Sequence, residues 1–87
     1  MERDFNAKKI GAQRFTLDVR GLTCPYPQVL TVRALENLAH NDVLEVILDN
    51  PPSVREVPPA LKDRGHDVLE VISLDPNTWK IIVQAKK

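Results

Sequence analysis

The stretch Phe15-Thr16-Leu17-Asp18-Val19-Arg20-Gly21-Leu22-Thr23-Cys24-Pro25-Tyr26-Pro27 joins two periodicities. Its first five residues alternate apolar and polar at the strand period, with Phe15, Leu17 and Val19 on the buried face. Gly21 breaks that pattern, and from Pro27 onward Leu30, Ala34, Leu35 and Leu38 share one helical face. A strand therefore runs into a helix, and Cys24 stands at the corner. Pro25 and Pro27 suit the first turn of a helix, where amide N–H groups have no helical acceptor, so N1 and N3 are the expected positions. That register puts Cys24 at the N-cap, usually occupied by Ser, Thr, Asp or Asn.

Outward from the corner, the first helix is expected to end near Ala39, His40 and Asn41. Residues 42–49 are rich in Val, Ile and Leu and read as a second, central strand, with Asn50-Pro51-Pro52 as a loop. Ser53 is the expected cap of a second helix with Val54, Val57 and Leu61 at helical spacing. Pro58 and Pro59 predict a short turn followed by a restart, and Gly65 the stop. Residues 67–74 and 78–85 read as a hairpin turning at Asp75-Pro76-Asn77. The order β-α-β-α-β-β contains two crossovers, and two helices cover one face of a four-stranded sheet. The fold class is α/β (α+β), a two-layer sandwich. Residues 1–14 read as a flexible N-terminal arm and 15–87 as one domain.

The 87 residues leave little room for a deep cofactor cleft, which favours a carrier, a binding module or a surface chemistry. Twelve basic and twelve acidic residues are interspersed, giving no electrostatic footprint for nucleic acid or membrane. No apolar run is long enough to span a bilayer, and a soluble, cytoplasmic protein is expected. With one cysteine and with His40 and His66 remote from it in sequence, neither an intrachain disulfide nor a Cys/His metal site is expected, and no cofactor is.

An ordinary lone cysteine is more often a small buried hydrophobe than a nucleophile. At a helix start, however, a thiolate is favoured by the dipole and by the first-turn amides of Tyr26 and Gln28. Arg20 either adds positive charge there or is simply solvated. Asp18 is expected to organise the loop by accepting backbone N–H groups. Tyr26, Val29 and Val32 form an apolar strip beside the sulfur, either a docking surface for a partner or a surface covered by a second chain or by the arm. His66 reads as a turn residue. No Ser/His/Asp set, acid/base carboxylate pair or glycine-rich phosphate loop is present.

The run from Leu17 to Pro27 resembles the signature of the TusA family, also called SirA-like, which takes in the YeeD and YedF proteins; the likeness extends through Leu35, Pro51-Pro52 and Gly65-His66. The Pro-Tyr-Pro variant resembles the YedF branch. The resemblance implies a mixed sheet of strand order 1-2-4-3 and a sulfur carrier whose matched cysteine, Cys24, bears a persulfide, with Asp18, Arg20, Gly21, Pro25 and Pro27 supporting it. It implies a sulfurtransferase-like carrier rather than a stand-alone turnover enzyme. Its donor would be a cysteine desulfurase or rhodanese-type protein, and its acceptor would serve tRNA thiolation, cofactor assembly or sulfur metabolism. A monomer without direct nucleic-acid contact is expected. The alternative is a non-catalytic protein- or RNA-interaction module of the same element order, as in the C-terminal domain of translation initiation factor three, a likeness of fold alone.

Overall fold

Val43–Leu48, the most apolar strand of the chain, lies at the centre of the sheet, and its neighbours follow from how the chain leaves and returns to it. The structure, a computed structural model, describes residues 7–23 and 25–86. The elements are β1 (Lys8–Lys9), β2 (Arg14–Asp18), α1 (Tyr26–Glu36), β3 (Val43–Leu48), α2 (Pro51–Asp63), β4 (Asp67–Asp75) and β5 (Thr78–Gln84). They form one five-stranded sheet in the order β1-β2-β3-β5-β4.

β2 and β3 are parallel, with Phe15 opposite Leu44 and Leu17 opposite Val46. β5 lies antiparallel to both β3 and β4. The crossovers from β2 to β3 and from β3 to β4 therefore advance in the same direction across the sheet. Right-handed crossovers of that kind put both helices on one face, and α1 packs against α2 accordingly. Between the layers lie Leu17 and Val19, Leu44, Val46 and Leu48, Ile81 and Val83, with Leu35, Val57 and Leu61 from the helices, all essentially inaccessible to water.

The sheet is mixed and has two helices over it, as expected, and its four longer strands follow the order 1-2-4-3. The strand count is corrected from four to five. Lys8 and Lys9, in the stretch read as an arm, pair antiparallel with Thr16 and Phe15 and lengthen the sheet beyond β2. Two isolated residues carry no periodicity, so nothing in their sequence signals a strand.

Both helices depart from expectation at their ends. α1 starts at Tyr26, with Pro25 at the N-cap and Pro27 at N2, and it stops at Glu36. The shift arises because the Tyr26 amide bonds back to the Thr23 carbonyl at 2.9 Å, while the first helical bond runs from the Val29 amide to the Pro25 carbonyl at 3.1 Å. α2 is one continuous helix capped at Asn50, so Pro51 and Pro52 are its first turn and not a loop, and Ser53 lies inside it. Pro58 and Pro59 sit within the helix without ending it. Each removes one intrahelical bond, and burial of Val57 and Leu61 on either side holds the backbone in register. Gly65 does stop the helix: at φ +89° it lets His66 donate to the Leu61 carbonyl and Gly65 to that of Lys62, a Schellman closure.

Candidate functional site

The ends of the parallel strands β2 and β3 lie side by side, and both helices begin there. The last ladder bond joins the Val19 amide to the Ile47 carbonyl at 2.9 Å. Beyond it the chain turns sharply, with the Leu22 amide donating to the Val19 carbonyl at 3.3 Å. Gly21 occupies the third position of that turn at φ +86°, the left-handed conformation a type II turn requires there. Thr23 and Tyr26 are then tied on either side of position 24. Cys24 itself lies outside the described residues.

The turn is fastened from two sides. Asp18 accepts the Arg20 amide at 3.0 Å through Oδ1, and its two oxygens take the Arg20 guanidinium at 3.0 and 2.8 Å. That contact, first by hydrogen bonding and then by charge, raises the Arg20 pKa above its ordinary value, with Asp49 and Asp75 adding smaller contributions. From the β3 side, Asp49 accepts the Gly21 amide at 2.9 Å through Oδ1, and the Asn50 amide group reaches the Leu22 carbonyl at 3.5 Å. Gly21, Leu22 and Thr23 then form one wall of a shallow depression of about 320 Å³, and Asp49, Asn50 and Pro51 form the other. A crevice outside the carboxyl ends of parallel strands is the usual ligand position in open α/β sheets.

The residues expected to support the thiol are thus brought together around the loop. Asp18 accepts one backbone N–H of the loop, that of Arg20. Arg20 is engaged by Asp18 on both carboxylate oxygens, so its charge is shared with that partner. The Tyr26 amide is spent on the Thr23 carbonyl, Pro27 has no N–H, and the Val29 amide donates to the Pro25 carbonyl. Tyr26 and Val29 are exposed, at 60% and 47%, whereas Val32 is half-buried and packs on the core. The strip is therefore two exposed residues and one inner one. Beside it, Val29, Val32, Arg33 and Arg64 line a groove of about 250 Å³ between the helices. His66 is a turn residue whose Nδ1 accepts the Lys86 amide at 3.1 Å.

Asp49 and Asn50 were not singled out by sequence reasoning. The signal was present in the pairing of the strands: continuing the register of Asp18 with Ile47 by two residues sets Arg20 against Asp49. Among the described residues no group of three His, Cys, Asp or Glu is placed to hold a metal ion. No helix among them is long and apolar enough to cross a membrane.

The crystal structure of a SirA-like protein from Desulfitobacterium hafniense superposes with a TM-score of 0.73 at 25% identity, covering 83% of this chain and 97% of that one. A proposed sulfur carrier protein of Thermotoga maritima is 46% identical over 71 residues, 82% of this chain and 90% of its own. The proposed sulfur carrier protein YedF of Escherichia coli K12 is 36% identical over 70 residues, 80% of this chain and 90% of its own. The family described as Sulfurtransferase TusA matches residues 15–85, from the first residue of the alternating stretch to the end of the last strand. With that match across the four longer strands, both helices and the segment containing Cys24, the chain belongs to the TusA family.

Proposed function

We propose that the protein is a sulfur carrier that accepts sulfane sulfur on Cys24 as a persulfide and hands it to an acceptor protein. The observation that carries this reading is that a member of a family of sulfurtransferases, with relatives named as sulfur carriers, has a single cysteine in its whole sequence. A persulfide needs a thiol, and Cys24 is the one thiol available. Its neighbours on both sides belong to a corner fastened by Asp18, Asp49 and the Thr23–Tyr26 bond.

The chemistry is an exchange without net oxidation. The Cys24 thiolate attacks the outer sulfur of a donor persulfide, forming a new S–S bond while the donor's S–S bond breaks. The donor cysteine leaves as a thiolate with the electron pair. Handing on reverses these roles, with a nucleophile of the acceptor attacking the outer sulfur and the Cys24 thiolate leaving. A helix beginning two residues later favours the anionic sulfur in both directions, as helix N-termini do. A cysteine desulfurase or rhodanese-type protein is the donor in this reading. The acceptor serves tRNA thiolation, cofactor assembly or sulfur metabolism, the protein acts in the cytoplasm as a monomer, and exposed Tyr26 and Val29 are where partners dock.

Incubation with a cysteine desulfurase and cysteine, read by intact mass, tests the proposal. The expected result is the gain of one sulfur atom, reversed by reductant and absent in Cys24→Ser. Position 24 precedes the N-cap, and serine is nearly isosteric with cysteine, so the variant is expected to keep the wild-type melting curve. A folded wild-type protein whose thiol is alkylated readily but which takes no sulfur from any persulfide donor would overturn the carrier reading.

A further inference from the structure

We infer that Asp49 is a positioning residue for the cysteine loop, acting from the end of β3 through the Gly21 amide, with Asn50 as a weaker second tie. The inference rests on the carrier reading and adds to it the group that fixes where the sulfur is presented. In the turn from Val19 to Leu22 the outer backbone groups close on each other, which leaves the central Gly21 N–H directed out of the turn. Asp49 Oδ1 takes that N–H at 2.9 Å across 28 residues of sequence, and Asn50 Nδ2 approaches the Leu22 carbonyl at 3.5 Å. Glycine at φ +86° has the loosest backbone in the loop, so an anchor at this point removes the freedom that matters most. Asp49 is itself fixed, lying between a buried strand and the first turn of α2. The loop is thus tied to β3 at Gly21, and Thr23 is tied to Tyr26, the first residue of α1. Sulfur transfer is sensitive to such placement, because a misplacement of about 1 Å can cost about a hundredfold in rate.

The test compares full-length wild type with Asp49→Ala, Asp49→Asn and Asn50→Ala. Asparagine keeps an oxygen that accepts the Gly21 amide but loses the charge. Three quantities are read: the rate of single-sulfur loading from a cysteine desulfurase, amide hydrogen exchange at Gly21, and the rate of Cys24 alkylation by iodoacetamide across pH. In Asp49→Ala, Gly21 exchange is expected to quicken while core amides such as Leu44 and Val46 stay protected, and loading is expected to slow about tenfold. Asp49→Asn is expected to restore both to within about threefold, and Asn50→Ala to show a smaller loss in the same direction. The midpoint of the alkylation profile stays put if position alone is at work. Wild-type loading by a folded Asp49→Ala protein overturns the inference, and so does an asparagine variant as slow as alanine, which would assign the effect to charge. A wild-type protein that takes no sulfur fails the carrier reading instead. In that case a change in alkylation rate in Asp49→Ala that asparagine reverses upholds the positioning role, and an unchanged rate overturns it. Should the alanine variant not fold, Asn50→Ala decides by the same readouts.

Discussion

The two faces of the sheet exclude water by different means. On the covered face, Leu44, Val46 and Leu48 lie under α1 and α2 and have no accessible surface. On the other face neither of the described helices lies over the strands, yet Glu45, between those same residues, is only 8% exposed. Arg14 and Lys80 reach it from the strands on either side, at 2.6 and 3.0 Å. The hydrogen bond from Arg14, and then that from Lys80, holds the Glu45 carboxyl below the ordinary carboxylate range against the opposing effect of burial. One face thus depends on apolar area, which is indifferent to pH, and the other on charge, which is not. The cysteine corner stands at the end of the sheet, where the helix layer begins, and depends on neither alone.

Removing apolar area from the covered face has the largest expected effect. Leu61→Ala empties a position with no accessible surface in the last full turn of α2, and such truncations cost about 2–5 kcal/mol. The loss, read by urea unfolding, is expected to be the same at pH 7 and pH 4. A loss below about 1 kcal/mol would mean that α2 is not an integral part of the core.

Glu45→Ala probes the other face and is expected to cost about 1–3 kcal/mol at pH 7, because it leaves two cations facing each other without their acceptor. The lower half of that range is favoured by solvent screening, since the Arg14 side chain is 53% exposed and that of Lys80 27%. The sign of the pH dependence follows from the depressed carboxyl. Unfolding raises its pKa to about 4.3, so its contribution is fully present above that value and fades as the pH falls through the lower folded value. The gap between wild type and variant should therefore narrow between pH 7 and pH 3. A gap that is constant over this range would show that Glu45 acts by packing and not by charge.

How much of this was legible in the sequence divides along similar lines. Strands that alternate, helices with an apolar face, and the stop at Gly65 all announce themselves locally, and the two crossovers fix the layer arrangement. What escaped was set by pairing across distance. Lys8 and Lys9 are a strand only because β2 offers an open edge. Glu45 looks like a polar interruption of a central strand until Arg14 and Lys80 are brought beside it. Asp49 looks like a strand-end residue until the parallel register sets it against the Gly21 turn. At the helix starts the reading erred by one residue at Pro25 and by three at Ser53, because proline tolerates several first-turn positions and does not choose among them.

Ser53 allows the smallest and most discriminating test of the covered face. As the cap of a helix beginning after it, the serine would accept a first-turn amide N–H through its side-chain oxygen, and alanine there would cost about 1 kcal/mol. Its actual place is inside α2, 1% exposed, with Asn50 as the cap. Its hydroxyl oxygen is buried and has no hydrogen-bond partner among the described residues. A buried hydroxyl without a partner lowers stability, and alanine both removes it and is the better helix former. Ser53→Ala is therefore expected to leave stability unchanged or raise it by up to about 1 kcal/mol in urea unfolding. A loss of about 1 kcal/mol or more would mean that the hydroxyl is bonded after all, and that the covered face next to the cysteine corner relies on a polar contact as the open face does.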